Sequence, residues 1–106
     1  MDVIKLSKYV IVYSEQIGKP VNNMRLQALL YYLQSLFFND VKYTKDGIFY
    51  VPDAYYEYCS EIHYLRATIS ADEEIPIEVK EVVDRYSNTP TWKIIERIVD
   101  EHMANS

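Results

Sequence analysis

The chain reads as mainly α (α+β): a compact bundle of about five helices with one small β-hairpin. Three observations predict it. Residues 22–38 carry Leu26, Leu29, Leu30, Leu33, Leu36 and Phe37 at helical spacing, so one face is continuously apolar. Shorter stripes of the same period recur near both ends of the chain. Between them, Val41-Lys42-Tyr43 and Ile48-Phe49-Tyr50-Val51 flank Asp46-Gly47, a hairpin signal. A length of 106 residues predicts one domain, 1–106, large enough to fold without staples.

Residues 3–17 read as the first helix. Val3, Leu6, Val10, Tyr13 and Ile17 form its stripe, with Lys5, Lys8, Ser14 and Glu15 outside it. Val10-Ile11-Val12 is β-branched and lowers intrinsic helicity, so a strand is the alternative. The stripe runs through four turns, however, and Gly18 supplies a stop. Gly18-Lys19-Pro20 then turns the chain into the organising helix at 22–38. That helix holds no Gly, Pro, Val, Ile or Thr after Met24, and Asn22 and Asn23 suit its cap.

Two strands alone are marginal in water, so the hairpin needs the helices behind it. Residues 53–69 read two ways. Either Asp53 caps a helix through Tyr55, Tyr58, Cys59 and Ile62, or an extended segment runs to Cys59 and a helix begins near Ser60. A helix covering at least Ser60–Arg66 is favoured. Ser70-Ala71-Asp72-Glu73-Glu74 is a polar surface loop. Ile75-Pro76 leads into a helix with Val79, Val82, Val83 and Tyr86 on one face and Glu78, Glu81 and Asp84 off it. Thr89 and Pro90 predict a restart, as cap and first helical residue. The last helix points Trp92, Ile95, Ile98 or Val99, and His102 or Met103 inward.

A single cysteine, Cys59, allows neither an intramolecular disulfide nor a cysteine metal cage, and reads as a small core residue. The first residues lack a basic region followed by an apolar run, so no signal peptide is expected. No window approaches the roughly 18 apolar residues of a membrane span. A reducing, cytoplasmic setting fits. The formal net charge is −5. All of it arises after residue 70, which disfavours direct binding to a phosphate backbone. An acidic face suits a basic protein partner, or competition with nucleic acid for one; the bland reading is a solvated face.

Catalytic groups are sparse. Two glycines, Gly18 and Gly47, make no phosphate cradle. His63 and His102 are the only histidines, and Glu61 and His63 are too close in sequence to share a helix face. The reading is therefore no enzyme, no metal and no cofactor. Tyrosine is the unusual residue: there are eleven. Tyrosines pair a large contact area with a directional hydroxyl and favour interfaces, although many sit at core edges with the hydroxyl outward. Tyr50, Tyr55, Tyr56 and Tyr58 cannot all point inward. Those four, with Glu78, Glu81 and Asp84, are the candidate partner-binding residues.

The helix at 22–38 carries a family resemblance. Leu26, Gln27, Leu29, Leu30, Tyr31, Tyr32 and Gln34 match the "Leu-Gln-Lys-Leu-Leu-Tyr-aromatic-x-Gln" helix of the Panacea domain family, also described as phage-associated and SocA-like. Ile48-Phe49 with Ala54-Tyr55, Glu61-Ile62-His63-Tyr64, Glu78-Val79 through Tyr86, and Trp92 with Ile95 are similar to later family segments, in order. The chain departs at Tyr58-Cys59-Ser60, where the family has Tyr-Gly-Pro, and lacks the usual ending. It thus resembles a divergent, short member. The resemblance implies protein binding rather than catalysis: an antitoxin-like module that neutralises a toxin or effector by direct contact. The alternative is a phage-encoded inhibitor of a host defence nuclease, anti-CRISPR-like, that uses an acidic surface.

Overall fold

The computed structural model describes residues 3–37 and 73–104, which form four helices: α1 (Val3–Gln16), α2 (Asn23–Phe37), α3 (Ile77–Arg85) and α4 (Thr91–Ala104). Among the described residues there is no strand. The expected hairpin at 41–51, the segment 53–69 and the fifth helix at Ser60–Arg66 lie outside them. No described helix is long and apolar enough to cross a membrane.

The helices fall in chain order into two pairs, α1–α2 and α3–α4, and the second pair lies against the first. α1 touches α2 and α3, α2 touches α1, α3 and α4, and α4 rests on α2 alone among the described helices. The reason for this arrangement is visible in α2. Leu26, Gln27, Ala28, Leu29 and Leu30 are consecutive and all buried. Five successive residues sample the whole circumference of a helix, so α2 is enclosed on every side over Leu26–Leu30. Burying its four leucines (26, 29, 30 and 33) contributes roughly 1.5–3 kcal/mol each. Leu36 departs from expectation: it is 58% exposed, at the edge of the stripe in the last turn.

α1 is helical despite Val10-Ile11-Val12 because Val10 and Ile11, adjacent in sequence, are both buried. A strand would send neighbours to opposite faces. Its buried face is broader than the predicted stripe. Ser14, expected outside, is fully buried, as are Ser7 and Ile11. α1 is gripped by both α2 and α3, so one stripe is not enough to cover it. The helix ends in a Schellman motif. Gly18 has φ +75°, its N–H donates to Glu15, and Lys19 N–H donates to Ser14 at 2.8 Å. Asn22 then caps α2, its Oδ1 accepting from Arg25 N–H at 2.8 Å.

α3 buries Val79, Val82, Val83 and Tyr86, as the pattern predicts. Glu78 in its first turn and Arg85 in its last complement the helix dipole. α4 begins at Thr91, one residue later than expected, with the Pro90 carbonyl accepting from Lys93 and Ile94. Thr89 is occupied otherwise: its N–H donates to Tyr86 and its carbonyl accepts from Arg25.

The inward face of α4 is a correction. Ile94 and Ile98 are buried and Ile95 is half-buried, whereas Trp92 is 65% exposed. Arg25 Nη1 bonds Thr91 Oγ1 at 3.2 Å, which fixes the rotation of α4. Ile98, seven residues on from Thr91, returns to that side, while Trp92 is turned away by about 100°.

Candidate interaction surface

The polar residues between the two helix pairs define what remains outside. Residues 3–37 carry four bases and one acid; residues 73–104 carry eight acids and four bases. The helix pairs are therefore complementary in charge, and part of the acidity read from sequence faces inward. Glu73, just ahead of α3, forms an ion pair with Lys5 and accepts from the Tyr9 hydroxyl at 2.8 Å. The bond and charge of Glu73 hold the Lys5 ammonium above its ordinary range. Burial, then Glu73, pushes the Tyr9 phenol up.

Further along the seam, the Tyr13 hydroxyl donates to the Asp84 carboxylate and lies 2.8 and 2.9 Å from its two oxygens. That bond, followed by burial, raises the Tyr13 phenol. Lys80 lies 5.9 Å from the Tyr13 ring centre, at the outer reach of a cation–π contact. At the far end, Lys19 donates to the Ser87 carbonyl at 3.1 Å and to Asn88 Oδ1. Arg25 donates to the Tyr86 and Thr89 carbonyls. The Tyr86 and Ser87 carbonyls lie at the C-terminal end of α3, where a cation is favoured; Thr89 lies in the turn before α4.

A second internal cluster is aromatic. Tyr32 stacks on Tyr86, with ring centres 4.9 Å apart and planes at 21°. Tyr31 meets Tyr32 edge-on at 5.3 Å. Burial raises the Tyr32 phenol, with smaller contributions from the neighbouring Tyr86 and the charge of Glu101. Gln27 is buried and donates to Asn23 Oδ1 at 3.0 Å. Of the residues that mark the α2 sequence, Gln27 is thus buried, and Tyr31 and Tyr32 are half-buried.

The predicted site residues divide accordingly. Tyr50, Tyr55, Tyr56 and Tyr58 lie outside the described residues, as do Cys59 and His63. Of the acids on α3, Asp84 is exposed but engaged by Tyr13, Glu78 is half-buried and Glu81 is exposed. Spaced three apart, the three follow one another along the surface of α3.

Sequence reasoning missed two surface residues, Ile77 at 62% exposure and Trp92. The signal for Trp92 was present: Ile94 and Ile98 offered a second stripe four residues apart, competing with Trp92–Ile95–Val99. Around Trp92, Glu96, Asp100 and Glu101 are exposed, with Lys93 and Arg97. Residues 73–104 are thus acidic overall, with Ile77 and Trp92 as their exposed large hydrophobic residues. Among the described residues no group of three or more His, Cys, Asp or Glu is placed to hold a metal.

Comparison with family models, curated proteins and solved structures gives no match.

Proposed function

We propose that this protein is a non-enzymatic, cytoplasmic binding module of the antitoxin kind, which neutralises a toxin or effector protein by direct contact. The observation that carries this reading is the exposure of Trp92 and Ile77 on an acidic surface. An exposed tryptophan is an expensive residue for a solvated face and a frequent anchor in protein interfaces. The Panacea-like sequence of α2 supports the same class of function. A partner with a basic face fits the charge of residues 73–104.

Co-expression tests the reading. The protein is produced together with the product of the gene adjacent to its own, where that product is toxic. Restored growth and a complex that survives gel filtration are expected. Failure of both overturns the antitoxin reading.

A second reading follows from the eight acids against four bases in residues 73–104. Such a surface could occupy the nucleic-acid groove of a defence nuclease. Glu81→Lys separates the two. It is the clean choice, because Asp84→Lys would also break the Tyr13 contact. A loss of nuclease inhibition with unchanged folding supports the second reading; unchanged binding of a toxin supports the first.

A further inference from the structure

Successive turns of α4 form four rows along its surface. The row Ile94–Ile98 is buried. Beside it runs Thr91–Ile95–Val99, half-buried throughout. Next comes Trp92–Glu96–Asp100, exposed throughout, and then Lys93–Arg97–Glu101, also exposed. Trp92, Ile95 and Val99 therefore make an apolar edge at i, i+3 and i+7, the spacing by which a helix seats in a groove of another protein. The acids Glu96 and Asp100 border that edge directly, while Lys93 and Arg97 lie one row further round.

We propose that this edge of α4, with Trp92 as its anchor, docks into an apolar cleft rimmed by Lys and Arg on a partner protein. The inference rests on the reading of the protein as a binding module and adds the surface and the chemistry of the partner. Charge complementarity carries the choice of occupant. The acids beside Trp92 oppose a phosphate backbone and attract a basic rim. A second copy of this chain would bring its own excess of acids to that rim, eight against four bases in residues 73–104. Of the four bases in residues 3–37, Lys5 is paired with Glu73, Lys19 with Ser87 and Asn88, and Arg25 with backbone carbonyls. The edge is also rigid. Arg25 pins the start of α4 at Thr91, so little ordering is left to be lost on binding.

Site-specific photocrosslinking in cells of the source organism tests the proposal with the full chain. Benzoylphenylalanine replaces Trp92, Glu96, Ile77, Glu81 or, as a control on α1, Glu15. Positions 92 and 96 are expected to crosslink to one identified protein, at a cleft whose mapped residues are apolar and flanked by Lys and Arg; position 15 is not. With that protein purified, the emission of Trp92, the sole tryptophan, should move to shorter wavelength on mixing. Trp92→Ala, and Glu96→Lys with Asp100→Lys, should each weaken binding by about tenfold or more without changing the far-ultraviolet circular dichroism. Crosslinks from 92 and 96 to a second copy of this chain, to nucleic acid or to an acidic surface overturn the proposal. Crosslinks to a protein from 77 or 81 alone also overturn it, while the binding-module reading survives. The absence of a protein crosslink from every position overturns both.

Discussion

Arg25 donates from Nη1 to the carbonyl of Thr89 at 2.8 Å, across 64 positions of sequence. The same guanidinium reaches Thr91 Oγ1 and the Tyr86 carbonyl. One side chain in the first turn of α2 thus holds the end of α3, the following turn and the start of α4. Burial lowers the Arg25 pKa from its ordinary value, but that value is so high that the group remains charged. A planar fork is needed because the three acceptors are spread over six residues.

Arg25→Ala should therefore cost about 1.5–3 kcal/mol, the range for hydrogen bonds to a charged group. Arg25→Lys should recover less than half of it, since a point charge cannot serve the same acceptors together. Lys19→Ala, whose partners are exposed, should cost under about 1 kcal/mol. Urea denaturation of the three variants gives the ranking. Equal losses for Arg25→Ala and Lys19→Ala would show that the fork is not the tie described.

Leu30 and Leu36 share a sequence stripe but not an environment. Leu30 is fully buried and Leu36 is 58% exposed. Leu30→Ala should cost roughly 2–5 kcal/mol, by lost transfer energy and the cavity left behind. Leu36→Ala should stay within about 0.5 kcal/mol. A loss below about 1 kcal/mol at Leu30 would mean that α2 is rotated from the orientation described.

The contrast marks what was legible in the sequence. Leu26 to Leu33 and Val79 to Tyr86 were read correctly, because each has one apolar stripe whose period alone names the inward face. α4 has two competing stripes, and only Arg25, 66 positions from Thr91, decides between them. Ser14 was misplaced for a related reason: a small hydroxyl carries no periodic signal, and burial on two sides depends on neighbours distant in sequence. The acids on α3 were read correctly as off the core. Their division into an engaged Asp84 and an outward Glu81 depends on Tyr13, which no local pattern links to them.

Ser14 also yields a prediction of the opposite sign from most core substitutions. Its Oγ is fully buried and has no hydrogen-bond partner among the described residues. An unpaired buried hydroxyl costs about 1–3 kcal/mol in desolvation. Ser14→Ala removes that cost and leaves a cavity smaller than a methyl group. Thermal melts should show unchanged or higher stability, by up to about 1 kcal/mol. A loss above about 1 kcal/mol would show that the hydroxyl is bonded in solution, by water or by a rotated carbonyl contact.

Alkaline pH should weaken the fold through its tyrosines. The phenols of Tyr9, Tyr13 and Tyr32 are all raised above the ordinary value of 10.0. For Tyr9 and Tyr32 the leading cause is burial; for Tyr13 it is the bond to Asp84. A raised folded-state pKa means that the native state keeps the proton longer than the unfolded chain. The stabilisation is then complete below the unfolded pKa and declines as pH rises from about 10 toward the folded value. Lys5, also raised, acts in the same direction. Urea midpoints should be level from about pH 7 to 9 and fall beyond about pH 10. Tyr32→Phe should flatten that fall, because the deleted hydroxyl is the one raised chiefly by burial beside Tyr86. Tyr13→Phe should flatten it too, and should in addition lower stability at pH 7 by releasing Asp84. Midpoints that hold level through about pH 11 in the parent chain would contradict the buried phenols that the packing of α1, α2 and α3 requires.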